Sequence, residues 1–300
     1  AGAVKEFFNL VEKYKIPVLA TFNGFDLLPS DHPQRVGVIG TIGSRAGNFA
    51  LQNSDLMLSV GSRNNIRQVS FNWKVFARAA KKVVVDIDPA ELKKPTLIPD
   101  LPICADAKYF FELLESKLKQ AKLPDWQKWN EWCQERKRRY PAVLPENVDD
   151  TGGVDMYYFM RVLSEALQEG SITVAGDGSA CVGMFQAGVV KNHQRFFWNS
   201  GCAAMGYDLP AAIGACFSRG KKDVVCLAGD GSLQLNIQEL QTVVHHKLPI
   251  KLFYLNNNGY LSIKQTQDSF FAGHRVACDP DSGVSFPNIQ KVAQAYGLPT

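Results

Sequence analysis

The sequence lacks the features that define several protein classes. Its seven cysteines are odd in number and include no CxxC pair, which argues against a disulfide framework or a zinc site and favours reduced thiols in the cytoplasm. No apolar run approaches the roughly 20 residues of a membrane span, and the first residues do not have the pattern of a signal peptide. The net charge is only +4 over 300 residues, so neither a nucleic-acid partner nor a membrane partner is indicated.

The chain also lacks a GxGxxG turn, which a nucleotide-dependent oxidoreductase would need. Short apolar runs instead alternate with helical patterns, which predicts parallel sheets covered on both faces. The fold class is therefore α/β, with two doubly wound parallel-sheet domains. We place a central Rossmann-like domain at residues 1–140, a polar linker at residues 141–153 and a second domain at residues 154–300. Both ends look cut, so we expect a segment of a longer protein.

The periodicity of apolar residues predicts individual elements. The predicted helices cover residues 3–14, 48–52, 108–119, 124–140, 155–167, 210–217 and 233–245. The predicted strands cover residues 16–20, 56–60, 82–87, 171–175, 224–228 and 250–256.

The functional prediction depends on the segment from residue 223 to residue 259. A buried strand ends in GDGS at residues 229–232, where a helix begins, and a second buried strand ends in NNNG at residues 256–259. The carboxyl ends of parallel strands lie at one edge of a sheet, where ligands bind. We therefore expect Asp230 and Asn257 to converge, although they are 27 positions apart (257 − 230).

The residue types in these two turns suit a magnesium-bound diphosphate. Mg2+ prefers oxygen ligands, and Asp230 offers a carboxylate, Asn257 an amide oxygen and Gly259 a backbone carbonyl. Gly231 and Ser232 begin a helix, whose free N–H groups and dipole favour phosphate. An ordinary strand-to-helix turn is the alternative interpretation.

A second GDG turn in the same chain serves as an internal control. Residues 176–178 also read GDG after a predicted strand, but counting 27 positions on from Asp177 (177 + 27) gives Ala204 and no pair of asparagines. The first GDG therefore fails as a metal site, whereas the second one has the strand, the spacing, the asparagines and the helix together.

The second pattern resembles the signature of thiamine-diphosphate (ThDP) enzymes, in which GDG is followed after about 26 residues by NN. Residues 200–215, SGCAAMGYDLPAAIGA, resemble the preceding segment of acetolactate synthases and their relatives. The resemblance implies that Met205 bends the cofactor into a V shape and that the Ala203 carbonyl accepts from its 4′-amino group. Core packing is the alternative role for Met205. The turn before Ser179 matches another diphosphate-contacting turn of the family.

The resemblance thus assigns a full set of site residues. We predict that the cofactor is bound by Ser179, Ala203, Met205, Gly229, Gly231, Ser232, Tyr260 and Leu261. We predict that Mg2+ is bound by Asp230, Asn257 and Gly259. Asp208 replaces the glycine common in acetolactate synthases, and we predict that it caps the helix beginning near Leu209.

The first half of the chain resembles the central domain of acetolactate synthases, which often holds FAD. Arg63 and Asp88 would then contact the flavin, but residues 64–67, NNIR, replace a more acidic stretch. FAD and a scaffold domain without flavin are therefore both retained as alternatives.

The resemblance implies decarboxylation of a 2-oxo acid, pyruvate above all, with transfer of the acyl unit to an acceptor. Thr266 stands where acetolactate synthases carry a tryptophan, which suggests a roomier acceptor site, as in relatives that use a keto sugar nucleotide. The glutamate that activates the cofactor is expected outside this chain, in a neighbouring subunit, so we expect a homodimer or homotetramer. A simple 2-oxo acid decarboxylase and a non-catalytic subunit of this fold are the alternatives.

Overall fold

The computed structural model describes residues 2–148 and 152–300, which divide into two compact units, Ala1–Glu146 and Asn147–Thr300. Each unit has parallel strands and its own core. The predicted linker at residues 141–153 includes residues 149–151, which lie outside the described residues, and a short 3-10 turn occupies Pro145–Val148.

The first unit alternates helices and strands. Its helices are α1 (Val4–Tyr14), α2 (Arg45–Asn53), α3 (Ile66–Val69), α4 (Ala107–Leu118) and α5 (Gln127–Arg139). Its strands are β1 (Val18–Ala20), β2 (Arg35–Val38), β3 (Leu56–Val60), β4 (Lys81–Asp86) and β5 (Leu101–Cys104). Short 3-10 turns occupy Phe22–Gly24, Trp73–Val75 and Glu91–Lys93. β1 pairs with β2, β4 lies between β3 and β5, and every pairing is parallel.

Two apolar clusters hold the first unit together. One cluster joins Leu51 of α2, Val69 of α3 and Val84 of β4. The other joins Val36 of β2 to Cys133 of α5, beside a stacked pair of tryptophans on the same helix. Burial of these side chains fixes the helices against the strands, because apolar area removed from water is the main favourable contribution to folding.

The second unit is built on a single sheet in the order β7-β6-β8-β9, with all pairings parallel. Its strands are β6 (Ile172–Ala175), β7 (Arg195–Trp198), β8 (Val224–Gly229) and β9 (Ile250–Leu255). Its helices are α6 (Met156–Ala166), α7 (Ser179–Ala187), α8 (Asp208–Ser218), α9 (Asp230–Gln234), α10 (Leu240–His246), α11 (Leu261–Phe270) and α12 (Ile289–Ala295). Further 3-10 turns lie at Ile237–Glu239 and Pro280–Ser282.

The core of the second unit lies between this sheet and helices α8 and α10. The buried residues of α8 recur at helical spacing, at Leu209, Ala212, Ile213 and Cys216, so one face of the helix covers the sheet. All four residues of β6 are buried, as are residues 224–228 of β8, as expected for central strands of a parallel sheet. The predicted α/β class with parallel sheets is thus confirmed.

The structure differs from the sequence-based elements in several respects. The helix predicted at residues 233–245 is broken into α9, a 3-10 turn and α10, because Asn236 leaves the helical conformation and its Nδ2 donates to the Gly206 carbonyl. Strands β2, β5 and β7, which are only four residues long, were not predicted, and neither were helices α3, α7 and α11. In the described ranges, no helix has both the length and the apolar character that crossing a membrane requires.

Candidate cofactor site

Three turns meet at the carboxyl edge of the second sheet. Strands β6, β8 and β9 are neighbours, and Gly229 at the end of β8 pairs with Leu255 at the end of β9. The turns at residues 176–178, 229–232 and 256–259 therefore leave the sheet at the same edge. This is the edge at which open parallel sheets bind ligands.

The Asp230 carboxylate joins two of these turns and is only 3% exposed. Its Oδ2 accepts the backbone N–H groups of Asn257 and Gly259, each at 3.0 Å. Its Oδ1 accepts the N–H of Gly231 at 2.9 Å. The structure thus brings the three predicted metal ligands together.

The donor chemistry of this cluster fits a hard divalent cation bound to a diphosphate. A carboxylate has about four acceptor positions, and the three N–H bonds leave about one of them, on Oδ1 of Asp230, for one bond to an ion. Asn257 is exposed, so its amide oxygen is accessible. In the described part of the chain, no group of three His, Cys, Asp or Glu side chains could hold a metal, so the other ligands would be amide, carbonyl and phosphate oxygens, which suit Mg2+.

Two glycines allow the turns to approach each other closely. At Gly259, φ is +145°, and a Cβ there would lie 2.2 Å from the Cys278 carbonyl oxygen. At Gly231, a Cβ would lie 2.1 Å from the ring of Tyr260. Tyr260 also donates its N–H to the Cys278 carbonyl at 2.8 Å. The Tyr260 ring therefore closes over the second GDG turn only because Gly231 has no side chain.

The loop that carries Ala203 and Met205 is bonded to α9. The Gly206 N–H donates to the Ser232 hydroxyl at 2.8 Å, and Asn236 Nδ2 donates to the Gly206 carbonyl at 2.7 Å. Ala203 has a positive φ of 53°, and Met205 is half-buried. These bonds fix the backbone next to Met205 relative to the second GDG turn.

The first glycine turn faces the beginning of α11. Gly178 has a φ of +77°, and Ser179 begins α7 directly after it. A Cβ at Gly178 would lie 3.9 Å from the Ser262 hydroxyl of α11, the helix that begins at Leu261. The second GDG turn, which begins at Gly229, borders open space. Among the described residues, no atom lies within 4 Å of the position that a Cβ at Gly229 would take.

Comparison with known proteins identifies the family. Residues 176–300 match the family model described as thiamine pyrophosphate enzyme, C-terminal TPP binding domain, and residues 1–115 match thiamine pyrophosphate enzyme, central domain. The chain belongs to the thiamine pyrophosphate enzymes. Thiamine pyrophosphate is the same cofactor as ThDP, so the predicted family is confirmed.

The similar proteins include several acetolactate synthases. The chain is 31% identical to acetolactate synthase 1, chloroplastic, of Zea mays over 306 residues, which cover 100% of this chain and 47% of that protein. It is 33% identical to the acetolactate synthase large subunit of Lactococcus lactis subsp. lactis over 299 residues, covering 99% and 50%. The chain therefore spans about half the length of the curated relatives it matches.

Two details of this thiamine pyrophosphate enzyme differ from the sequence-based prediction. Asp208 does not cap a helix: Tyr207 occupies the position before α8, and Asp208 is the first helical residue, with its carboxyl group fully buried. The N–H of Gly231 is used by Asp230, and α9 has only five residues. The phosphate-binding capacity of this helix start is therefore smaller than we predicted.

The sequence did not identify Tyr254 as a residue beside the site. Burial raises the pKa of its hydroxyl to about 12, and the charge of Asp230 contributes to the rise. Tyr254 lines a cavity of about 730 Å³ together with Asn256 and Asn258. Its place within the apolar run of β9 gave no sign of this, because Tyr is a common strand residue.

The two predicted flavin contacts in the central domain bond to protein groups. The Arg63 guanidinium lies 2.8 Å from the carboxylate of Glu91, and the same carboxylate also pairs with Lys94. Asp88 Oδ1 accepts the N–H of Ala90 in its own turn. A cavity of about 10 Å³ lies beside Arg63. FAD binding by this domain stays a prediction.

Proposed function

We propose that the protein is a ThDP- and Mg2+-dependent enzyme that decarboxylates a 2-oxo acid and transfers the acyl unit to an acceptor. The observation that carries this proposal is the Asp230 cluster, in which one buried carboxylate accepts N–H groups from both Asn257 and Gly259. In this proposal, the carboxylate of Asp230, the amide oxygen of Asn257 and the carbonyl of Gly259 would hold Mg2+, which would offset the negative charge of the diphosphate.

The remaining assigned residues hold and orient the cofactor. Ser179 would donate to the diphosphate from the first glycine turn, and Ser232 would contact the cofactor from the second. The Ala203 carbonyl would accept from the 4′-amino group, and Met205 would support the bent form of the cofactor. When bound, ThDP supplies a thiazolium ring that takes up the electron pair released as carbon dioxide leaves. Gly229, Gly231, Tyr260 and Leu261 complete the walls of the site.

Pyruvate is the proposed donor. Its C1–C2 bond breaks, C1 leaves as carbon dioxide, and the two-carbon unit forms a new bond to a carbonyl carbon of the acceptor, whose oxygen takes up a proton. Thr266 supports a larger and more polar acceptor than a second pyruvate. Its side chain is exposed on α11, and its hydroxyl donates to the Ser262 carbonyl at 2.9 Å. The hydroxyl oxygen can still accept hydrogen bonds from an acceptor substrate. We propose a keto sugar nucleotide.

We also propose that the full-length protein is a homo-oligomer, at least a dimer, in which a glutamate of another domain activates the cofactor. A cytoplasmic location is supported by the seven cysteines, which all lie in the described ranges and form no disulfide there.

An acceptor assay with the full-length protein tests the reaction. It compares pyruvate alone, pyruvate with 2-oxobutyrate, and pyruvate with a keto sugar nucleotide, with carbon dioxide and the condensed product measured in each. We expect condensation chiefly with the sugar nucleotide. Efficient acetolactate formation from pyruvate alone would indicate an ordinary acetolactate synthase, and release of free acetaldehyde a simple decarboxylase.

A further inference from the structure

Asp208 is a buried carboxylic acid between the turns of the proposed cofactor site. It is the first residue of α8, and its exposed fraction is 0%. The loop that carries Ala203 and Met205 lies directly before it in the chain. The proposed function gives this residue no role.

The two oxygens of the carboxyl group have different surroundings. Oδ1 accepts the N–H of Leu209 at 2.8 Å. Oδ2 is buried and has no hydrogen-bond partner among the residues that the structure describes. It lies against Gly176, the first residue of the first glycine turn, because a Cβ at Gly176 would come within 2.2 Å of it.

Asp208 is also linked to the second glycine turn through Ser232. Burial raises the pKa of the Asp208 carboxyl, and the nearby Ser232 hydroxyl offsets part of this rise, although Oδ2 of the carboxyl has no hydrogen-bond partner among the described residues. The same hydroxyl accepts the N–H of Gly206 at 2.8 Å. One carboxyl group therefore adjoins the first turn and the start of α9 and directly follows the Met205 loop in the chain.

Packing alone does not explain a carboxyl group at this position. A buried polar group with an unpartnered oxygen lowers stability, and an apolar side chain of similar volume would fill the same space without that cost. The polarity of Asp208 therefore requires a role other than filling volume.

We propose that Asp208 is a positioning residue for the cofactor, whose carboxyl group holds Ser232 and the first glycine turn in the arrangement that receives the diphosphate and aligns Met205. This inference rests on the proposed function. It differs from a packing role because it depends on the hydrogen-bonding capacity of the side chain and not on its volume.

The test compares Asp208→Leu with Asp208→Asn in the full-length protein, by calorimetric titration with ThDP in the presence of Mg2+. Leu fills the space without bonding to Ser232, whereas Asn keeps both size and bonding capacity. We expect Asp208→Leu to raise the Kd for ThDP by about tenfold or more, and Asp208→Asn to stay within about threefold of the parent. The melting temperature of the ThDP-free protein should not fall in Asp208→Leu.

A double variant tests whether Asp208 acts through Ser232. Asp208→Leu combined with Ser232→Ala should weaken ThDP binding by less than the effects of the two single changes added together, since both remove one shared linkage. Simple addition of the two effects would contradict the proposal. If Asp208→Leu does not fold, Asp208→Ala gives the same comparison, and the Kd of that variant for ThDP should also rise.

The outcomes separate this inference from the function on which it rests. If the parent protein binds no ThDP with Mg2+, the proposed function fails. If the parent binds ThDP and the Leu or Ala variant binds it equally well, the positioning role of Asp208 is refuted and the proposed function stands.

Discussion

The Asp208 carboxyl group is more easily protonated in the folded protein than in the unfolded chain. Burial raises its pKa above the ordinary value of 3.8, and the Ser232 hydroxyl and the Leu209 N–H offset part of the rise. The folded state therefore holds this proton more tightly. The stability that protonation contributes is fully present below about pH 4 and is lost as the pH rises through the raised pKa.

We predict that Asp208→Asn stabilises the ThDP-free protein increasingly as the pH rises. The amide keeps the shape of the side chain but cannot ionise, so the gain should be small near pH 4 and reach about 1–3 kcal/mol near pH 8. Thermal melting of the parent and the variant between about pH 4 and pH 8 measures this gain in stability. Asp223→Asn is the control, because that carboxylate is exposed and paired with Lys251 at 2.7 Å. A gain that does not change with pH would contradict the prediction.

A second residue-scale prediction concerns Arg35, which is 4% exposed. Its Nη1 donates to the carbonyls of Phe25, at 2.8 Å, and of Leu28. Burial lowers its pKa to about 10, so it remains charged near neutral pH. Arg35→Met should reduce the free energy of unfolding by about 2–4 kcal/mol, since two buried carbonyls lose their donor.

Denaturant unfolding, together with proteolysis of the segment between β1 and β2, checks the Arg35 prediction. Arg78→Met is the matched control, because Arg78 is exposed and its replacement should change stability by less than about 0.5 kcal/mol. Equal stability of the two variants would show that Arg35 does not hold this segment.

At the scale of elements, the turn after β9 depends on Gly259. Its φ of +145° is a region that other residues rarely adopt, and a Cβ would meet the Cys278 carbonyl of the backbone at 2.2 Å. We predict that Gly259→Ala lowers the free energy of unfolding by about 1–3 kcal/mol and also weakens ThDP binding, because the turn carries Asn257.

The matched control for Gly259→Ala is Gly214→Ala in α8. In the part of the chain that the structure describes, a Cβ at Gly214 would meet nothing within 4 Å. Alanine in a helix interior is favoured over glycine by about 0.5–1 kcal/mol, so this variant should be neutral or more stable. A smaller loss for Gly259→Ala than for Gly214→Ala would be incompatible with the tight turn.

The elements that could be predicted from the sequence are those whose pattern is local. The apolar run Leu56–Val60 is a strand with the predicted ends, and the amphipathic pattern Val4–Tyr14 is a helix. The convergence of Asp230 and Asn257 also followed from the sequence, because the carboxyl ends of parallel strands share one edge.

The features that could not be predicted depend on distant contacts. The break after α9 follows from the bond between Asn236 and Gly206, which are 30 positions apart. Asp208 looked like a helix cap because Leu209 and Pro210 follow it, yet the approach of Gly176 encloses its carboxyl group. Neither contact has a periodic signal in the sequence.

At the scale of the whole molecule, every residue assigned to ThDP and Mg2+ lies in the unit Asn147–Thr300. The other unit holds the paired Arg63 and Glu91 beside a cavity of about 10 Å³. We therefore propose that the central domain serves as a scaffold and that cofactor binding depends on the cluster around Asp230.

Calorimetric titration of the full-length protein with ThDP, with Mg2+ and then with a chelator, tests this claim most directly. The account predicts binding only with a divalent cation, no binding by Asp230→Ala, and retained dependence on Mg2+ in Asp177→Asn, whose GDG turn lacks the asparagine pair. ThDP affinity that is equal with and without the chelator, or unchanged in Asp230→Ala, would contradict it.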